Sequence, residues 1–151
     1  MSVLEDKLNS IGISLAQPKA PVANYLSTKL VGDLLFVSAR VSELQGTAGE
    51  DVTEAEAKQA ARDTVILLLA IVKKDIQDLD QITSVIKLQG FIRSGANFTR
   101  QPQVLDGASE LLIELFGENG KHARTATGVN QLPYGAVVQL DMILQLKASG
   151  K

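Results

Sequence analysis

The 151-residue chain contains no cysteine, which removes disulfides, thiolate catalysis and Cys-type zinc sites together. It has one histidine, so a His-rich metal centre is equally unexpected, and neither a metal nor a cofactor is anticipated. Two tyrosines and four phenylalanines are the only aromatic residues, and the net charge is −2. Both facts argue against nucleic acid, which calls for a basic surface and stacking rings. Long apolar runs are missing too. The longest, Val65 to Val72, is eight residues and far short of a membrane span. The opening stretch MSVLEDKLNSIGISL carries Glu5 and Asp6 early and has no basic segment leading into an apolar run. It does not read as a signal peptide, and the expected location is the cytoplasm.

What is present reads as one ordinary domain over 1–151, with an N-terminal helix and loop (1–22) and a core (23–147). Val3, Leu4, Leu8 and Ile11 have helical spacing up to Gly12. Pro18 and Pro21 then keep the chain extended. Tyr25 to Val41 reads as two strands around Gly32-Asp33, a tight hairpin. Thr53 with Glu56 three residues on forms a capping box, opening a helix from about Glu54 to about Asp75. Val85 to Arg93 alternates as a strand. It sets Val85, Lys87, Gln89, Phe91 and Arg93 against Ile86, Leu88, Gly90 and Ile92. A helix follows from about Val104 to Phe116, stopped by Gly117. The last strand, Ala136 to Lys147, has an apolar face from Ala136 to Leu146 and a mixed face of Val137, Gln139, Asp141, Ile143 and Gln145. The order is helix, β, β, α, β, α, β, β. Two long helices cover one sheet face, leaving the other to solvent or a second chain.

The stretch His122 to Gln139, HARTATGVNQLPYGAVVQ, holds the main functional signal. Arg124 has no Asp or Glu within five residues, so it reads as an unpaired guanidinium at a strand mouth and an anion site. If the strands on either side of Leu132-Pro133 pair as a hairpin, Arg124 and Gln139 share an edge.

An arginine, a short strand, Leu-Pro and then an alternating strand resembles the C-terminal signature of the RidA (YjgF, L-PSP endoribonuclease-like) family. That resemblance implies an α+β, chorismate-mutase-like fold, a single sheet with two helices on one face, assembled as a homotrimer. It places Arg124 on the family's carboxylate-binding arginine, Tyr25 on a ligand-facing aromatic, and Ala39 where a glycine usually stands. Ala126 joins these as a substrate-binding position. Gln139 falls on the glutamate that positions water in the deaminating members. Glutamine can hold a water but cannot exchange a proton with it near neutral pH. Asp141, two residues on along the same face, and His122, an imidazole and so of the one side-chain type with an ordinary pKa near 7, are the candidate replacements. Each also has a plain structural reading, as an interface ion pair and as a loop or capping residue. For the family's helix-start asparagine, Asp106 and Ser109 are both candidates.

Two functions stay open. One is hydrolysis of reactive enamines or imines of amino-acid metabolism to 2-oxoacids and ammonia. The other is non-catalytic binding of a small carboxylate at subunit interfaces. The resemblance also carries a ribonuclease or translation-inhibitor label, which the charge and aromatic content do not favour.

Overall fold

The computed structural model describes residues 2–21 and 23–148; Met1, Val22 and 149–151, included in the domain boundaries above, lie outside the described residues. Helix α1 (Val3–Ser10) is short, and its start is held twice. Ser2 and Glu5 form a capping box. In addition the Asp80 carboxylate accepts from Val3 N at 2.8 Å and Leu4 N at 3.0 Å. These backbone donors, Leu4 first, hold the Asp80 carboxyl below its ordinary value. A carboxyl lowered on folding stabilises above its unfolded pKa and loses that contribution as pH falls through the folded one. Asp80→Ala is therefore expected to cost about 1 kcal/mol, read as faster amide exchange at Val3 and Leu4, and acid is expected to loosen α1 in the parent protein.

Strands β1 (Thr28–Val31) and β2 (Leu34–Val41) pair antiparallel across a two-residue turn, with Val31 opposite Leu34. Gly32 has φ +62°, the left-handed conformation such a turn requires. The first strand starts later than the pattern suggests, so Tyr25 sits in the bend before it. Helix α2 (Glu54–Ile76) opens on the Thr53/Glu56 capping box. Strand β3 (Ile82–Arg93) follows. Its register against the last strand shifts between Val85 and Lys87, and this irregularity turns Val85 into the core and exposes Ile86. Simple alternation had put Val85 on the mixed face. Helix α3 (Gln101–Phe116) begins three residues before the expected Val104 because Pro102 fits its first turn. Strands β4 (Ala123–Val129) and β5 (Val138–Leu146) complete the chain.

The sheet order is β1-β2-β5-β3-β4. β3 and β4 are parallel, and the other pairs are antiparallel. The expected hairpin between β4 and β5 does not form, since β3 lies between them. The reason is that α3 crosses over between β3 and β4, which lets β4 add beside β3 in parallel while β5 fills the central gap between β2 and β3. Leu35, Val37, Leu88, Ile92, Leu140, Met142 and Leu144 bury one sheet face together with Ala61, Leu68, Leu105 and Leu112 of the helices. The alternation expected for the last strand holds from Val138 onward, with Val138, Leu140, Met142, Leu144 and Leu146 buried; Ala136 and Val137 precede the strand and are both buried, so Val137 is not on the mixed face. The two helices touch at Gly107, where a Cβ would lie 2.1 Å from the Lys58 carbonyl oxygen. No helix among the described residues is long and apolar enough to cross a membrane.

Candidate functional site

Register fixes which face each candidate occupies. In β4 Arg124 lies beside Leu88, which is fully buried beneath the helices. Its side chain accordingly reaches α3. Nη1 donates to Asp106 Oδ1 at 2.7 Å and to Ser109 Oγ at 3.2 Å, and Nη2 donates to the Pro102 carbonyl at 3.3 Å. Arg124 is thus not the unpaired cation expected from its neighbourhood in sequence. Its counter-ion is 18 residues away, on the second turn of α3. A guanidinium has five N–H donors, and three acceptors among the described residues take three of them. Nε–H and one Nη2–H remain, on a side chain 26% exposed.

Ser109 extends this arrangement inward. Its hydroxyl lies 2.9 Å from His122 Nε2, and His122 Nδ1 lies 2.6 Å from the Gly120 carbonyl oxygen. A carbonyl only accepts, so Nδ1 carries a proton, and in the neutral ring Nε2 then accepts from Ser109, whose oxygen accepts from Arg124. Both ring nitrogens of His122 are therefore engaged within the chain, and the ring braces the serine that braces Arg124.

Gln139 and Asp141 lie on the opposite side of the sheet. Gln139 is flanked by Val41 and Phe91, and Asp141 by Gln89; their β5 neighbours Leu140 and Met142 point into the core. Burial pushes the Asp141 carboxyl above its ordinary value, with Lys87 pulling it partly back. A carboxyl raised on folding opposes folding once ionised, so stability declines as pH rises from the unfolded value through the folded one. Asp141→Asn is expected to melt higher than the parent protein at neutral pH and to match it in acid, checked by thermal melts across the carboxylate range.

The remaining candidates are spread across the sheet. Ala126 follows Arg124 on the helix-covered face and packs against the core. Ala39 sits where the β2–β5 register shifts between Val37 and Arg40. Tyr25 is 40% exposed and lines a groove with Pro18, Ile71 and Asp75. From β2 to β4 is three strand spacings, roughly 14 Å, so one chain does not bring Tyr25 or Ala39 to Arg124. A cavity of about 260 Å³ between α2 and the N-terminal loop, lined by Ser14, Leu44, Asp63, Thr64 and Leu67, contains none of these residues.

Sequence reading missed that Asp106 and Ser109 act on Arg124. Both were in view, three residues apart on one helix face, but nothing local tied that face to a strand beginning at Ala123.

Comparison with known proteins agrees with this architecture. Residues 5–146 match the family described as "YjgF/chorismate mutase-like, putative endoribonuclease". The chain is 37% identical over 146 residues to Protein TCP17 of Trypanosoma cruzi, covering 92% of this chain and 91% of that one. A solved protein of unknown function from Agrobacterium tumefaciens superposes with a TM-score of 0.89 at 37% identity, covering 96% and 93% of the two chains. A RidA structure from an Antarctic Psychrobacter superposes with a TM-score of 0.54 at 21% identity, covering 86% and 94%, and supports the fold alone.

Proposed function

This chain belongs to the YjgF/chorismate-mutase-like family, in which RidA is placed, and from that premise we propose that it binds a small carboxylate-bearing metabolite at Arg124. The observation that carries this reading is the donor count. Asp106, Ser109 and the Pro102 carbonyl fix the guanidinium while leaving two N–H groups free for an incoming carboxylate. Because Tyr25, Ala39 and Gln139 cannot reach Arg124 within one chain, the pocket is completed by neighbouring protomers, in a homotrimer.

Hydrolysis is the second reading, favoured by Asp141. Its carboxyl, raised by burial, stands one pleat from Gln139 and is a group that can exchange a proton, as a glutamine cannot. An imine would take up one water, releasing ammonia and leaving the 2-oxoacid. Gln139 would hold that water while Asp141 protonates the departing nitrogen.

A coupled assay separates the two readings. An amino-acid dehydratase supplies the enamine, and 2-oxoacid release is followed with the parent protein, Arg124→Ala, Asp141→Asn and Gln139→Glu. Acceleration by the parent that both Arg124→Ala and Asp141→Asn abolish supports hydrolysis. Activity appearing only in Gln139→Glu supports a binding protein with an intact pocket. Equal pyruvate affinity in the parent and Arg124→Ala would remove the anion site.

A further inference from the structure

The run Val65 to Val72 in α2 is apolar all round, so more than one face of the helix needs cover. Val65, Leu68, Leu69 and Val72 are fully buried. A second stripe, Ala60, Asp63, Thr64 and Leu67, has the spacing of a single helix face. It looks into the cavity of about 260 Å³, which Ser14 and Ala16 of the N-terminal loop and the segment after β2 close from the other side. Leu67 is half-buried, and Leu44 in the far wall is 38% exposed.

Two hydroxyls are buried in the lining, and both are already used within the chain. Thr64 Oγ1 donates to the Ala60 carbonyl at 2.7 Å. Ser42 Oγ donates to the Leu44 carbonyl at 2.8 Å and accepts from Val137 N and Val138 N, each at 3.2 Å. The interior is left with an apolar lining. Its remaining polar side chains, Asp63 and Glu43, are both exposed and so stand at the rim. Asp63 accepts one hydrogen bond, from Gln59 Nε2 at 2.9 Å, and Glu43 has no hydrogen-bond or ion-pair partner among the described residues. No lysine or arginine lines the cavity.

That pattern selects by charge and by shape. A carboxylate would meet two like charges and no cation. A divalent metal takes about six oxygens or more, and no group of three or more metal-ligating side chains occurs among the described residues. A neutral polar molecule would lose its hydrogen bonds to water against an apolar wall. An organic cation fits both parts, since its apolar body sheds water on Leu44 and Leu67 while its charged head stays at the wet rim. The volume lies just under the range of about 300–1,000 Å³ usual for small-molecule sites, so the body is a single ring or a short chain.

We propose that this cavity binds a small primary amine, its apolar body against Leu44 and Leu67 and its ammonium at the Asp63 and Glu43 carboxylates. The site shares no residue with that at Arg124 and takes the opposite charge.

The test titrates the full chain with phenylethylamine and follows the leucine methyl resonances by NMR. Phenylethanol and phenylacetate, which keep the ring and replace the cation by a neutral and an anionic group, are run beside it. The amine is also titrated into a variant carrying Asp63→Asn and Glu43→Gln together, two exposed positions where the change leaves the packing alone. The expected result is a saturable shift of the Leu67 and Leu44 methyls with the amine, and none with phenylacetate. Affinity should fall about fivefold or more in the double variant, and by a similar factor for phenylethanol. No saturable shift, equal affinity in the double variant, or phenylacetate binding as tightly as the amine overturns the proposal. So do Leu67 methyls that move with protein concentration and not with the amine, since a second copy then fills the cavity.

Discussion

Gly107→Ala is expected to destabilise the protein by about 3 kcal/mol or more, a large share of the about 5–15 kcal/mol by which a domain is ordinarily stable. The added methyl would stand 2.1 Å from the Lys58 carbonyl oxygen and 2.9 Å from its carbonyl carbon. Those are backbone atoms in the second turn of α2, so no rotamer change relieves the contact. The helices must move apart instead, and Leu68, Leu105, Leu111 and Leu112, all fully buried, would lose contacts along the interface. Gly32→Ala is the control. Its Cβ would meet nothing within 4 Å, but its φ of +62° makes any side chain cost about 1–2 kcal/mol. Chemical denaturation of the two variants should separate steric from conformational cost, with Gly107→Ala the worse. If Gly107→Ala melts within a few degrees of the parent, α2 and α3 do not pack as closely as described.

Local signals in the sequence were enough for most elements, because their causes are local. The Thr53–Glu56 capping box starts α2 where the pattern places it, and Gly32 turns the first hairpin. The five alternating buried residues of β5 mark the sheet's core side. What was not legible depends on atoms distant in sequence. The irregularity at Ile86 inverts the parity of β3, and alternation counted along one strand has no knowledge of its neighbour. The placement of β4 beside β3 depends on the crossover through α3, whereas a Leu-Pro break reads naturally as a hairpin. Faces follow from that placement. Had β4 and β5 paired, Arg124 and Gln139 could have worked together in one chain. With β3 between them they lie on opposite sides of the sheet, and each must find its ligand separately or through another protomer. Asp106 belongs to the same lesson, since a counter-ion 18 residues away lies outside any short window around Arg124.

The Arg124–Asp106 pair makes the second large prediction, in which its two members act in opposite directions. Arg124→Ala removes both free donors. Charge-assisted hydrogen bonds are each worth about 1.5–3 kcal/mol, so pyruvate affinity at this site should fall about a hundredfold or more. The fold should barely notice, because Asp106, with its side chain 43% exposed, can be solvated by water when its partner is gone. A stability loss of at most about 1 kcal/mol is expected. Asp106→Asn keeps an oxygen to accept from Nη1 but deletes the negative charge beside the bound carboxylate. Across about 6 Å at an effective dielectric constant near 20, that repulsion is about 3 kcal/mol. Solvent at so exposed a position screens it to about 1 kcal/mol, and affinity should rise about fivefold. Titration calorimetry of the two variants at one ionic strength decides the matter. Weakening in both would mean that the negative charge of Asp106 is needed to hold the guanidinium in its binding orientation. Tightening in Asp106→Asn with loss in Arg124→Ala would mean that Asp106 restrains an anion site by partly occupying its charge.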